Sequence, residues 1–237
     1  MTMQKQQFKA GKYFFVLVWM LQDRQNFLQE IGENIYLRQK ISSLFICSSI
    51  FLAIYGGVIG ASSSWQQALA SMVKLPALYL ITLIICLPTL YFFNVFFGSR
   101  KPFGQYVALL VSAMAVISVL LFSFTPITLL FMTTTTNNYQ FFKLLNVAIF
   151  GLTGFMGVKF FYEAMHSLSE EEIVGKETRE KILQLWMLLY GLVGCQLGWT
   201  LRPFFGNPGM PFQLFRKMGG NFYLDIVKAL SDLLGFQ

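Results

Sequence analysis

The sequence predicts an all-α protein, a polytopic transmembrane helix bundle of about five spans with an N-terminal interfacial helix and a C-terminal amphipathic helix. Three observations predict it. Only 12% of the residues are charged, half the share of about 25% usual in soluble domains. The mean hydropathy is +0.57. The charges also leave long gaps, with none between Lys40 and Lys74, Lys74 and Arg100, Lys101 and Lys143, or Lys181 and Arg202. Each gap holds the roughly 20 apolar residues that cross a hydrocarbon core.

Residues 1–41 read as a cytoplasmic, interfacial segment. Lys5, Lys9 and Lys12 precede the apolar run 13–21, as in a signal peptide. The following "QDRQNF" is no small-x-small cleavage site, so the segment reads as mature chain. The apolar run is too short to cross. It continues into Phe27, Ile31 and Ile35 at four-residue spacing, the pattern of an interfacial or bundle-capping helix.

Residues 42–202 form the predicted bundle. Span 1 covers about 43–61, span 2 about 76–97 with Pro88 in its middle, span 3 about 104–131 with Pro126 near its end, span 4 about 141–164 and span 5 about 182–202. Proline inside a span frees one carbonyl and kinks the helix, which neighbouring helices tolerate. Span 4 is bracketed by Lys143 and Lys159, whose stems reach the interface from both ends. Lys159 and Glu163 are spaced to pair on one helix face. Residues 203–237 form an outer-face loop and an amphipathic helix, with Phe222, Tyr223, Ile226, Val227, Leu230, Leu233 and Leu234 on one face.

Twelve of the eighteen basic residues fall on the side shared by the N-terminus, the 98–103 turn and the 165–181 loop. Basic residues mark the cytoplasmic side, so the N-terminus is placed in the cytoplasm and the uncharged "TTTTNN" turn, 133–138, outside. The net charge of +7 sits beside apolar spans, which points to a bilayer with anionic headgroups as its counter-charge. No free-standing cluster of Lys and Arg with interleaved aromatics argues for nucleic acid. The expected location is a bacterial cytoplasmic membrane, or a thylakoid membrane in a cyanobacterium.

Gly151, Gly154 and Gly157 recur every third residue in span 4; Gly191, Gly194 and Gly198 stand in span 5. Small residues on one face let helix backbones approach closely. They read as a tight pair of spans 4 and 5, a dimer seam, or ordinary bundle packing. Asn94, Asn146 and Gln196 are the polar residues inside spans, suited to interhelical hydrogen bonds. Cys47, Cys86 and Cys195 have no CxxC spacing and read as small apolar fillers.

Catalytic signatures are missing. His166 is the only histidine, and a metal site built on imidazole normally uses at least two. HExxH, GxSxG and P-loop patterns are absent. No carboxylate or histidine lies mid-span to relay protons. Glu170–Glu172 read as the acidic first turn of a helix capped by Ser167 or Ser169. The expectation is a protein without enzymatic activity, catalytic residues, cofactor or metal.

The densest motif is "GWTLRPFFGNPGMPFQLFR", residues 198–216. Pro203 ends span 5, and Gly206, Pro208, Gly209 and Pro211 favour turns. Phe204, Phe205, Phe212 and Phe215 are placed to fold back on the bundle. Arg202 carries five donors able to tie down loop carbonyls. The stretch reads as a pinned loop, either a structural plug or a binding site built on Arg202, Pro203, Phe204, Gly206, Pro208, Pro211, Phe212 and Arg216.

Three blocks, "VKLPALYLITLIICLPTLYFFNVFFGSR" (73–100), "FFKLLNVAIFGLTGFMG" (141–157) and "YGLVGCQLGWTLRPFFGNPGMPF" (190–212), cover about a third of the chain. They resemble a family of bacterial polytopic membrane proteins found in cyanobacteria among others. The five-span layout also loosely resembles Yip1-type membrane proteins. These resemblances imply a membrane bundle and bring no activity. The expected function is to bind or help assemble a larger membrane protein complex, with other membrane proteins as partners. The alternative is a transporter or channel for a small uncharged or lipid-like solute, motivated by the proline-broken spans and their polar residues. A lipid-modifying enzyme would need Arg202 and His166 on one side, and the topology separates them.

Overall fold

The computed structural model describes residues 12–134, 139–169, 176–205 and 212–215. Among these the chain forms seven helices and no strand: α1 (Lys12–Gln22), α2 (Arg24–Gly32), α3 (Leu37–Ala61), α4 (Trp65–Phe96), α5 (Phe103–Thr134), α6 (Tyr139–Ser169) and α7 (Lys176–Thr200). Five of them, α3 to α7, are long and apolar enough to cross a membrane, and each covers one of the five expected spans, although α4 begins at Trp65 rather than near residue 76. The C-terminal amphipathic helix, the Glu170–Glu172 turn and most of the "TTTTNN" turn lie outside the described residues. Ser167 is inside α6 and does not cap a following helix.

The single interfacial helix expected over 13–37 is two helices. The chain breaks at Asp23, whose carboxylate accepts from the Asn26 backbone N–H at 3.4 Å and from its side-chain Nδ2 at 2.5 Å. An aspartate at this position satisfies the orphan donors of a new helix start. The break lets both helices turn their apolar faces into one end of the bundle. Val16, Leu17, Met20, Phe27, Leu28 and Ile31 are all buried there. Ile35 sits half-buried in the turn before α3. Lys40 closes this end. It is buried, 2.7 Å from Glu30, and faces the rings of Trp19 and Phe27. Lys159 and Glu163 pair as expected, at 4.0 Å, but the closer partner of Glu163 is Arg24 of α2, at 2.6 Å.

α5 is the central column. Its membrane-crossing window is 61% buried, the largest share of the five. α3 packs on both α4 and α5, α6 packs on α5, and α7 packs on α4. This corrects the tight pairing of spans 4 and 5: α6 and α7 hardly meet. A Cβ on Gly151, Gly154, Gly191 or Gly198 would touch nothing within 4 Å. Gly194 faces Thr82 of α4, and only Gly157 makes a close approach, to Ile117 of α5. The close helix pair is α3 with α4. There Gly56 and Gly60 form a small-xxx-small step against the backbone of Gln67, Ala68 and Ser71. Cys47 and Cys86 are buried fillers, whereas Cys195 faces outward.

Inside the bundle Asn146 is fully buried between α3 and α6. Its Oδ1 accepts from the Tyr55 hydroxyl at 2.8 Å, and its Nδ2 donates to the Phe142 carbonyl at 2.8 Å. Thr128 of α5 lies 3.5 Å from the same hydroxyl. Interhelical hydrogen bonds in membranes average about 0.6 kcal/mol and reach about 1.7. Tyr55→Phe, which leaves Asn146 Oδ1 without its donor, is expected to cost about 1–2 kcal/mol when the purified protein is unfolded with denaturant in mixed micelles. No change in midpoint would mean that the amide finds another donor.

Candidate functional site: a polar cradle under residues 203–205

The helices alternate in direction, so the end of α3, the start of α4 and the end of α7 meet at one pole of the bundle. At this pole α4 carries Gln67, Ser71 and Lys74. Their spacing of four and three places them on one helix face. Ser64 starts the helix, its Oγ accepting from the Gln67 N–H at 3.2 Å. Lys74 is about 14 Å along the axis from Trp65. All three side chains are buried, with Lys74 only 5% exposed.

What they bury against is main chain. Gln67 Nε2 donates to the Pro203 carbonyl at 2.7 Å and lies 3.4 Å from that of Phe204. Ser71 Oγ donates to the Phe204 carbonyl at 2.6 Å and accepts from Gln67 Nε2 at 3.2 Å. Lys74 Nζ donates to the Pro203 carbonyl at 3.3 Å and to the Leu214 carbonyl. Its ammonium also stands 4.8 Å from the centre of the Phe215 ring. Ser62 at the end of α3 reaches the Phe205 carbonyl at 3.4 Å. A chain that leaves a helix has carbonyls without intrahelical donors, and here α4 supplies donors from the side.

Phe204 and Phe205 turn inward. Both pack against the cluster of Leu52, Tyr55, Leu75 and Leu121, and the Phe205 ring meets Phe142 edge-on at 6.3 Å. Phe212 and Phe215 are exposed and do not fold back fully. Pro203 follows a cis peptide bond from Arg202. Gly206, Pro208, Pro211 and Arg216 lie outside the described residues.

The Arg202 guanidinium stacks on Trp199, 3.3 Å from the ring centre. Among the described residues the carbonyls of 203–205 and 214 are held by Gln67, Ser71, Lys74 and Ser62, and the carbonyls of 206–211 that Arg202 is expected to tie down lie outside them. Trp199 lies three residues earlier, on the same side of the helix end, and a guanidinium stacks well on an indole face. The sequence signal for these anchors is a lone lysine in line with Ser71 and Gln67, which a span beginning near residue 76 leaves as a flanking charge. Arg202 and His166 lie at opposite poles, as the topology requires.

The other polar groups are dispersed. Asn94, near the far end of α4, donates to the Leu90 carbonyl at 2.8 Å. Gln196 keeps a buried Oε1 without a partner among the described residues. His166 Nε2 lies 3.5 Å from Glu180 Oε1. Among the described residues no three His, Cys, Asp or Glu side chains gather as a metal site would need. No protein-family model, curated protein or solved structure matches the chain.

Proposed function

We propose that this chain is a non-enzymatic membrane protein that binds other membrane proteins and helps hold a larger complex together. The observation that carries the reading is the uncovered face of α7. Only 11% of its membrane-crossing window is buried within the chain. Leu185, Leu188 and Leu192 are exposed on it, beside Gly191, Cys195 and Gly198. Lipid covers such a face without penalty, but small side chains there also let a partner helix come close enough for dispersion and Cα–H contacts. The pinned 203–205 segment gives the same helix a rigid end. The resemblance to bacterial polytopic membrane proteins fits this reading.

We place the chain in a bacterial cytoplasmic or thylakoid membrane with the α1–α2 pole in the cytoplasm. In the fold that pole collects Arg24, Arg38, Lys40, Arg100, Lys101, Arg179 and Lys181, the bias expected of a side facing anionic headgroups. Transport of a small solute draws less support. Asn94 and Asn146 do not line one path: the first sits near His166 at one pole, and the second is bonded to Tyr55 on the other flank of α5.

Photo-crosslinking in native membranes tests the proposal. Benzoylphenylalanine at Leu188 or Leu192 of α7 is expected to give a discrete protein adduct. The same probe at Ile127 or Leu129 of α5, also exposed, is expected to give lipid adducts only. Lipid adducts from both helices would end the proposal.

A further inference from the structure

Arg202 stands where the chain changes direction. It follows α7, whose membrane-crossing stretch ends at Thr200, and it precedes the 203–205 segment that turns into the bundle. Both neighbours are fixed. α7 packs on α4, and the carbonyls of Pro203 and Phe204 are held by Gln67, Ser71 and Lys74. The backbone at Arg202 is therefore anchored at the depth where a span leaves the hydrocarbon core. Lipid headgroups lie at that level, and an indole such as Trp199 suits it.

The side chain is positioned as well. At 3.3 Å from the centre of the Trp199 ring, the guanidinium lies flat on the indole, since an edge-on approach would drive its nitrogens into the ring. The five N–H groups of a guanidinium lie in its plane, so stacking covers one face and leaves the donating edge open. Among the described residues no carbonyl or carboxylate takes a hydrogen bond from that edge. Arg202 is half-buried, so the edge remains within reach of the bilayer surface.

The described part of the fold supplies no counter-charge at this pole. Its carboxylates all lie at the other one: Asp23, Glu30 and Glu33 in the α1–α2 cap, Glu163 near the end of α6, and Glu177 and Glu180 at the start of α7. Lys74 adds a second positive charge here, and its ammonium is already spent on main-chain carbonyls. An open guanidinium fork held at headgroup depth suits an anion that the bilayer provides. A phosphate diester presents two oxygens that such a fork matches in bidentate fashion.

We propose that Arg202, stacked on Trp199, binds the phosphate of one anionic phospholipid at the pole opposite α1–α2. The acyl chains need no groove of their own and lie in the surrounding leaflet. The site begins where α7 ends, so it stands independently of what covers Leu188 and Leu192. Free phosphate shares the ionic chemistry and diacylglycerol shares the chains, so each has its own control.

Native mass spectrometry of the full-length protein, released from a mild detergent, tests the site. Phosphatidylglycerol, diacylglycerol and inorganic phosphate are titrated separately. Wild-type protein is expected to retain one phosphatidylglycerol after detergent removal. Arg202→Gln is expected to lower that occupancy about ten-fold, the loss of a charge-assisted contact. Arg202→Lys keeps the charge without the fork and is expected to fall between the two. Circular dichroism checks that both variants fold. The proposal is overturned if wild-type protein retains no phosphatidylglycerol, holds diacylglycerol equally well, or exchanges the lipid for inorganic phosphate. Unchanged occupancy in folded Arg202→Gln overturns it as well.

Discussion

Gly60→Ala is expected to loosen the α3–α4 hairpin and to cost about 1–3 kcal/mol, the usual penalty of overpacking. The new Cβ would lie 2.5 Å from the Gln67 carbonyl oxygen and 2.8 Å from Ala68 Cα. Both atoms are backbone, so no side chain is free to swing aside. Relief requires the two helices to move apart, and that withdraws Gln67 and Ser71 from the carbonyls they hold. Gly151→Ala and Gly198→Ala are the controls, because nothing stands within 4 Å of either position. They are expected to be neutral or slightly stabilising, as alanine favours helix. Thermal unfolding of the three variants in one detergent measures the contrast. Equal losses for all three would place the critical glycines elsewhere.

Lys74→Met is expected to release the 203–205 segment while the transmembrane helices stay assembled. Methionine keeps an apolar stem of similar reach but no donor. Hydrogen bonds to a charged group are worth about 1.5–3 kcal/mol each. Losing the Pro203 and Leu214 contacts together should raise the open population by at least about ten-fold, the factor that 1.4 kcal/mol represents. Chymotrypsin reports it, since Phe204 and Phe205 are cleavage sites that are half-buried against the bundle in the closed state. Faster cutting at these two residues, with unchanged helix content and partial rescue by Lys74→Arg, is the expected result. Identical cutting in wild type and Lys74→Met would show that packing of the two phenylalanines holds the segment without the ammonium.

The spans were legible because each lies in an uninterrupted apolar gap, and a bilayer imposes that pattern directly. Their partners were not. The spacing of Gly151, Gly154 and Gly157 says that a neighbour is able to come close, but nothing about which one arrives. Gly56 and Gly60 in span 1 stand four apart and are the ones that meet a neighbour's backbone. The break at Asp23 is not legible from the spacing, because the apolar period of Phe27 and Ile31 suggests one helix through it. Period reports the buried face and is blind to a change of axis. At the 198–216 stretch the end of α7 just before Pro203 follows from residue type, but residue type does not tell Phe204 and Phe205, which turn inward, from Phe212 and Phe215, which stay exposed. The identity of the anchor depends on a helix more than a hundred residues away.

That last distance has a consequence for how the protein is made. Gln67, Ser71 and Lys74 bond to carbonyls 129–140 positions later in the chain. The α3–α4 hairpin is synthesised first and enters the membrane with this polar stripe unfilled. It stays unfilled until α5, α6 and α7 have all been translated and α7 has crossed to the matching pole. An insertion error that leaves α7 on the wrong side leaves a buried-type lysine with no carbonyls to receive it. The stripe thus reports on completed topology, and a quality-control protease at that surface would have a chemical difference to read between a finished bundle and a stalled one.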